Sequence, residues 1–227
     1  MYCPAHFAQT DSAEISELIR QVALAELITW TGRSIEASTI PMLFDEEVGD
    51  RGALLGHFAR ANTQWKSYDA TTEALAIFRG DDAYVSPSWY ASKAVHGRVV
   101  PTWNYLTVHM HGPLIVHDDH EWKRGLLERL TAAHEAGKSE PWSIADAPPQ
   151  FIDAQLRAVV GIELRVERID AKWKLSQNRD DADVDGVIGH LAAGDVRQQA
   201  VAERMRSLRS APQAGPERPF ERESRGP

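Results

Sequence analysis

The chain has 227 residues, enough for one domain with extensions or at most two small ones, and 43% of them are hydrophobic. It carries 33 acidic against 25 basic side chains for a formal net charge of −8, which is a poor footprint for neutralising nucleic-acid phosphates. Cys3 is the single cysteine, so an intrachain disulfide is excluded. The opening "MYCPAHFAQTD" has neither a basic n-region nor an apolar h-region, and no apolar run reaches bilayer-spanning length. The expectation from these features is a soluble cytoplasmic protein.

In chain order, "TDSAEISELIRQV" (10–22) reads as a helix. Asp11 stands at the N-cap with Glu14 three residues on, and Ile15, Leu18, Ile19 and Val22 make one apolar stripe. "ALAELITW" and "IEASTIPMLF" read as two strands joined by "TGRS", a hairpin signature. "GALLGHF" reads as a further strand and "RANTQWKSY" as a turn with a short helix. "ALAIFRGDDAYVSPSWY" reads as two short strands about a Gly80-Asp81-Asp82 turn. "VVPTWNYLTVHMHG" (99–112) alternates as a strand, and Gly112-Pro113 is expected to turn "LIVHD" back on it. So many strands with little helix predict a closed or nearly closed β-barrel.

The second half changes character. "DHEWKRGLLERLTAAHEAG" (119–137) has Trp122, Leu126, Leu127 and Leu130 at helical spacing and Gly137 as its stop. "PPQFIDAQLRAVV" opens as a helix on its prolines. "GIELRVERIDAKWKLS" (161–176) returns to strand alternation with Ile162, Leu164, Val166 and Ile169. "VDGVIGHLAAGDVRQQAVAERMRSL" (184–208) is helical, with breaks expected at Gly186, Gly189 and Gly194. The division expected is a barrel with inserted helices over 1–180, a helical segment over 181–209, and a disordered Pro/Arg/Glu-rich tail over 210–227.

Three stretches concentrate polar chemistry. "GHFARAN" (56–62) puts His57, Arg60 and Asn62 at a strand end, where an Arg fork suits a phosphate, though composition alone favours an ordinary strand-to-helix turn. "SPSWYASK" (86–93) offers its serines, among them Ser86 and Ser88, and Lys93 to a phosphate and Trp89 or Tyr90 to a flat ring, though composition favours a surface loop with an aromatic anchor. "WKLSQNR" (173–179) clusters donors able to read a heterocycle edge, or is a solvated strand end. His109 and His111, two apart on a strand, share a face, with His117 beyond the Gly112-Pro113 turn. No nearby Cys and no acid completes a familiar metal set with them, so no metal is expected, though one His suffices for a haem.

"MYCPAHF", "GHFARAN", "AYVSPSWY", "VVPTWNY", "VHMHG", "LTAAHE", "PWSIADAP" and "KWKLSQNR" occur in this order. Together they resemble the PaiB-type FMN-binding negative transcriptional regulators, from Met1 to about Met205. The resemblance implies a mostly β fold with flanking helices, an FMN-binding split β-barrel with C-terminal helices, and FMN bound at a homodimer interface. By motif it puts His57, Arg60 and Asn62 near the phosphate and ribityl chain, with Ser86, Ser88 and Trp89 along the next wall. Trp103 and Asn104, with Tyr105, would pack at the dimer seam and on the flavin, and Lys174, Gln177 and Asn178 would reach the partner's flavin. One departure stands out. Thr39 in "EASTIPMLF" occupies the place where the family usually has a His, so this position cannot titrate near neutral pH. The regulator role comes from the family alone: the sequence shows no helix-turn-helix, zinc finger or basic helix, and the chain is acidic, so its own residues do not point to direct DNA binding. The alternatives are a flavin-dependent oxidoreductase acting on a small molecule, or a haem-binding split barrel.

Overall fold

A computed structural model describes residues 1–210, so the tail expected to be disordered lies, from 211 on, outside the described residues. The described residues form a mostly antiparallel sheet of nine strands with seven α-helices. The chain divides into two compact units: Met1, Ala13–Arg79 and Thr107–Asp170 make the first, and Tyr2–Ser12, Gly80–Leu106 and the chain from Ala171 make the second.

The first unit is built on a meander. Helix α1 (Ser12–Val22) buries Ile15, Leu18 and Ile19, the stripe its spacing predicts. Strands β2 (Leu24–Trp30) and β3 (Ile35–Asp45) pair antiparallel from Leu24↔Pro41 to Trp30↔Ile35. Their turn needs Gly32 at φ +83°, and the Thr31 hydroxyl accepts the Ser34 N–H at 3.0 Å. Strand β4 (Ala53–Ala59) lies beside β3, and β8 (Val159–Arg165) lies between β4 and β7 (Leu114–His117). The first half of β5 (Ala74–Val85) closes the other flank of β2. Period-2 alternation divides the β4 side chains. Leu54 and Phe58 are fully buried, while Ala53 and Leu55 meet Leu126 and Leu130 of α4 (His120–Glu135). Asp119 caps α4 by accepting the Trp122 N–H. Helix α5 (Pro149–Ala158) adds Ile152 and Leu156 against Ile144. Helix α2 (Gln64–Ser67) is a single turn.

In the second unit, β1 (Ala8–Gln9) pairs with the end of β9 (Arg168–Lys174). A 3-10 turn over Pro87–Trp89 and α3 (Ser92–His96) precede β6 (Thr102–Gly112). Helices α6 (Asp181–Ala192) and α7 (Val196–Ser210) bury Leu191, Val201, Ala202 and Met205. Ser210 is thus the last residue of α7.

Three local expectations change. Gly80-Asp81-Asp82 is not a turn: β5 runs unbroken through it, and the buried positions pass from Ala74, Ala76 and Phe78 to Ala83 and Val85. That shift of phase inside one strand mimics a turn in the sequence. Gly112-Pro113 does not fold β7 onto β6, because β7 pairs with β8 from Leu114↔Leu164 to His117↔Gly161. Gly112 is there because the Arg165 carbonyl oxygen would lie 1.7 Å from any Cβ at that position. Gly186 and Gly189 do not break α6, and only Gly194 marks a helix end. At Gly186 a Cβ would come within 2.1 Å of the Trp89 carbonyl oxygen, so this glycine serves packing.

Candidate functional site

Four of the expected ligand residues lie in the first unit. Thr39, directly across from Glu26 on β2, donates its hydroxyl to the Glu26 carboxylate at 2.8 Å. His57 on β4 is partly buried, its Nδ1 has no hydrogen-bond partner among the described residues, and burial holds the imidazole below its ordinary pKa. Arg60 was expected to offer its fork to a phosphate. In the structure the fork is already filled: Nη1 and Nη2 bond Asp118 at 2.9 and 2.5 Å, Nε the Arg157 carbonyl at 2.6 Å, and Nη2 also the Val159 carbonyl. The Lys123 ammonium, a buried residue's, adds a third donor to Asp118 at 2.8 Å. Arg60 first and Lys123 second hold the Asp118 carboxyl far below the usual range. Asn62 donates to Ser38 at 2.9 Å and accepts the Gln64 N–H, whose side chain in turn reaches Leu27 and Thr29 on β2. The "GHFARAN" stretch is therefore a strand-to-helix connection in which Arg60 and Asn62 are committed to protein and His57 keeps an unused nitrogen.

Eight lie in the second unit. Ser86 accepts the Ser88 N–H, Ser88 accepts the Lys93 ammonium at 3.1 Å, and Trp89 stacks on His190 of α6 with centroids 5.3 Å apart. Asn104 is fully buried, takes the Ser176 hydroxyl at 3.1 Å and donates to the Met205 sulfur. Gln177 donates to the Trp173 carbonyl at 2.5 Å and accepts the Leu175 N–H, which shapes the strand end, and Asn178 is exposed. Trp103 is different: it is 52% exposed and meets Tyr84, itself 44% exposed, edge to face at 5.8 Å. Lys174 donates to the Thr102 hydroxyl at 2.7 Å and the Trp103 carbonyl at 2.5 Å. Burial first, then Lys172 and Arg179, push its pKa down. Trp103 and Lys174 are thus neighbours within one chain, joined through the Trp103 carbonyl. Tyr84 was missed. It was legible as the outward residue between Ala83 and Val85, both buried, once β5 is read as one strand.

His109 and His111 do share a face of β6, 6.3 Å between centroids, and burial keeps both below their ordinary pKa. Among the described residues no group of three or more His, Cys, Asp or Glu side chains is placed to hold a metal ion.

The family model described as "Putative FMN-binding domain" matches residues 1–168. Protease synthase and sporulation protein PAI 2 of Bacillus subtilis is 33% identical over 194 residues, covering 84% of this chain and 89% of that protein. An uncharacterised protein of Emericella nidulans is 30% identical, covering 83% and 89%. Among solved structures, the FAD and heme binding protein from Mycobacterium smegmatis is 19% identical with a TM-score of 0.54, covering 82% of this chain and 80% of its own. The flavocytochrome Anf3 from Azotobacter vinelandii is 14% identical with a TM-score of 0.56, covering 78% and 74%. The fold is the split barrel of flavin-binding proteins. The chain belongs to the PaiB-type FMN-binding family, and its cofactor is FMN. The residues present fit that group: half-exposed rings at Tyr84 and Trp103 offer flat apolar surface, and the Lys174 ammonium beside them offers a donor. Among the described residues no helix is long and apolar enough to cross a membrane.

Proposed function

We propose that the chain works as an FMN-binding homodimer in regulation, like the sporulation protein it resembles, in the cytoplasm and without direct contact to DNA. The observation that carries this reading is the Tyr84–Trp103 pair, aromatic surface left half open beside an ammonium whose hydrogen bonds go to neutral oxygens. Such a face gains from being covered, at roughly 25 cal/mol per Å² of apolar area removed from water. A flavin ring and a second protomer together would cover it. Lys174 and Trp103 are the direct contacts in this proposal, with Ser86, Ser88, Gln177 and Asn178 at the rim. Arg60, Asn62, Asn104 and Trp89 act by positioning backbone, since their polar atoms or faces already have partners. Thr39, tied to Glu26, leaves its position without the family's imidazole. Regulation without DNA contact accords with the net charge of −8.

A flavin-fluorescence titration combined with light scattering tests this. FMN quenching that saturates, with the mass of two chains in solution, is the expected result. A monomer mass with FMN bound rejects the dimer, and no quenching at high micromolar FMN rejects Lys174 and Trp103 as cofactor contacts.

A further inference from the structure

Two of the stretches that carry the family resemblance, "LTAAHE" and "PWSIADAP", take no part in the FMN reading. They meet elsewhere, at the C-terminal end of α4. There the Glu135 carboxylate accepts the Trp142 N–H at 3.1 Å and so ties the segment after the helix back onto its last turn. Ile144, buried against Ile152 and Leu156, anchors the same segment from below. Between helix and segment runs a groove of about 440 Å³, within the size range of small-molecule sites.

The chemistry of its walls is one-sided. Pro141, the 45% exposed Trp142, Ala132 of α4 and Ala136 just beyond it give an apolar floor. The charged residues lining it are Glu128 and Glu135, both acids. The carbonyl end of α4, which closes the groove at Ala136 and Gly137, adds the negative end of the helix dipole. Glu135 is fixed and ionised: the Lys138 ammonium and the Trp142 N–H hold its carboxyl below the usual range. Lys138 reaches it at 2.6 Å, so an ammonium already occupies this carboxylate, delivered by the chain itself on a largely exposed side chain. Glu128 pairs with Arg124 one turn away at 3.2 Å.

We propose that this groove binds a small organic ammonium ion, its apolar part on Trp142 and Pro141 and its cationic head on Glu135 in place of Lys138. An indole beside two carboxylates is suited to such a cation, whose attraction to an aromatic face adds to the ion pair. Lys138 acts as an internal competitor that the ligand displaces.

The test is calorimetric titration of the full chain with phenethylammonium and with phenethyl alcohol, which has a similar shape and no charge. Phenethylammonium should bind in the millimolar range or tighter and the alcohol far more weakly. Glu135→Gln keeps an oxygen for the Trp142 N–H and should weaken the amine roughly tenfold or more, as should Trp142→Ala. Lys138→Ala should tighten it severalfold, because the competing ammonium is gone. That last variant removes an exposed side chain and does not depend on a fragile fold. Equal binding of amine and alcohol, no heat with either ligand in wild type and Lys138→Ala, or a Lys138→Ala affinity no tighter than wild type overturns the proposal.

Discussion

Arg60 in the first unit and Lys174 in the second are basic side chains that the sequence motifs present alike, as donors to the phosphate or the flavin. The structure separates them by what they already hold. Asp118 receives donors from both Arg60 and Lys123, and the remaining Arg60 donors go to backbone carbonyls. Lys174 gives its protons to a hydroxyl and a carbonyl, with Lys172 and Arg179 as like-charged neighbours. A cation with its counter-ion in place is a clamp. One held on neutral oxygens beside open aromatic rings keeps its charge for an anionic ligand. The pairing state, more than residue type, distinguishes scaffold from site.

The largest expected effects test the scaffolds of the two regions through the glycines that let backbone approach backbone. Gly112→Ala in the first unit drives a Cβ to 1.7 Å from the Arg165 carbonyl oxygen, and Gly186→Ala in the second to 2.1 Å from that of Trp89. Neither obstacle is a side chain that can swing away, so each should cost about 3 kcal/mol or more. Chemical denaturation measures this. A Gly112→Ala protein as stable as wild type would mean that the 111–113 and 165–167 segments yield easily, and would remove the rigid first region from the comparison.

Next come the cations. Lys174→Ala and Trp103→Ala should each weaken FMN by about 10- to 100-fold, the range for a charge-assisted bond or a lost aromatic face. Arg60→Ala should do the reverse: a melting temperature lower by several degrees, with FMN affinity little changed once measured below the melt. Flavin titration and thermal melts on the three proteins separate these outcomes. If Arg60→Ala loses FMN as strongly as Lys174→Ala does, the clamp and the site are not distinct.

The parts of this organisation that sequence made legible are those governed by local rules. The α1 stripe, the "TGRS" hairpin and the α4 helix with its glycine stop follow from periodicity and turn chemistry, and the structure has all three. What escaped were contacts between residues far apart in the chain. Nothing near Gly112 in sequence announces Arg165, and nothing near Arg60 announces that Asp118 will fill its fork. β5 escaped for a different reason, because its change of inward phase near Asp81 looks locally like a turn. Trp103 and Lys174 were each named through the family motifs rather than from spacing, their hydrogen bond to one another was not foreseen, and Tyr84 was hidden by the misread strand.

The smallest effect uses pH to set the two regions against each other. The folded Asp118 pKa lies below its ordinary value of 3.8, so the Arg60–Lys123 clamp stabilises fully above that value. The clamp fails only as pH falls through the lower, folded pKa. Asp118 is largely open to solvent, so screening should keep its share below about 1 kcal/mol. Lys174 has the opposite profile. Its folded pKa lies below the ordinary 10.5, so the unfolded chain binds the extra proton between the two values. Stability should therefore rise with pH through that alkaline interval and level off above 10.5. Melting temperatures across both ranges for wild type, Asp118→Asn and Lys174→Met read each limb by itself. Asp118→Asn should flatten only the acid limb and Lys174→Met only the alkaline one. Saturating FMN should suppress the alkaline rise in wild type, since a bound anion favours the charged ammonium. A Lys174→Met curve parallel to wild type on the alkaline side, with and without FMN, would show that this lysine carries no desolvation penalty for a ligand to relieve.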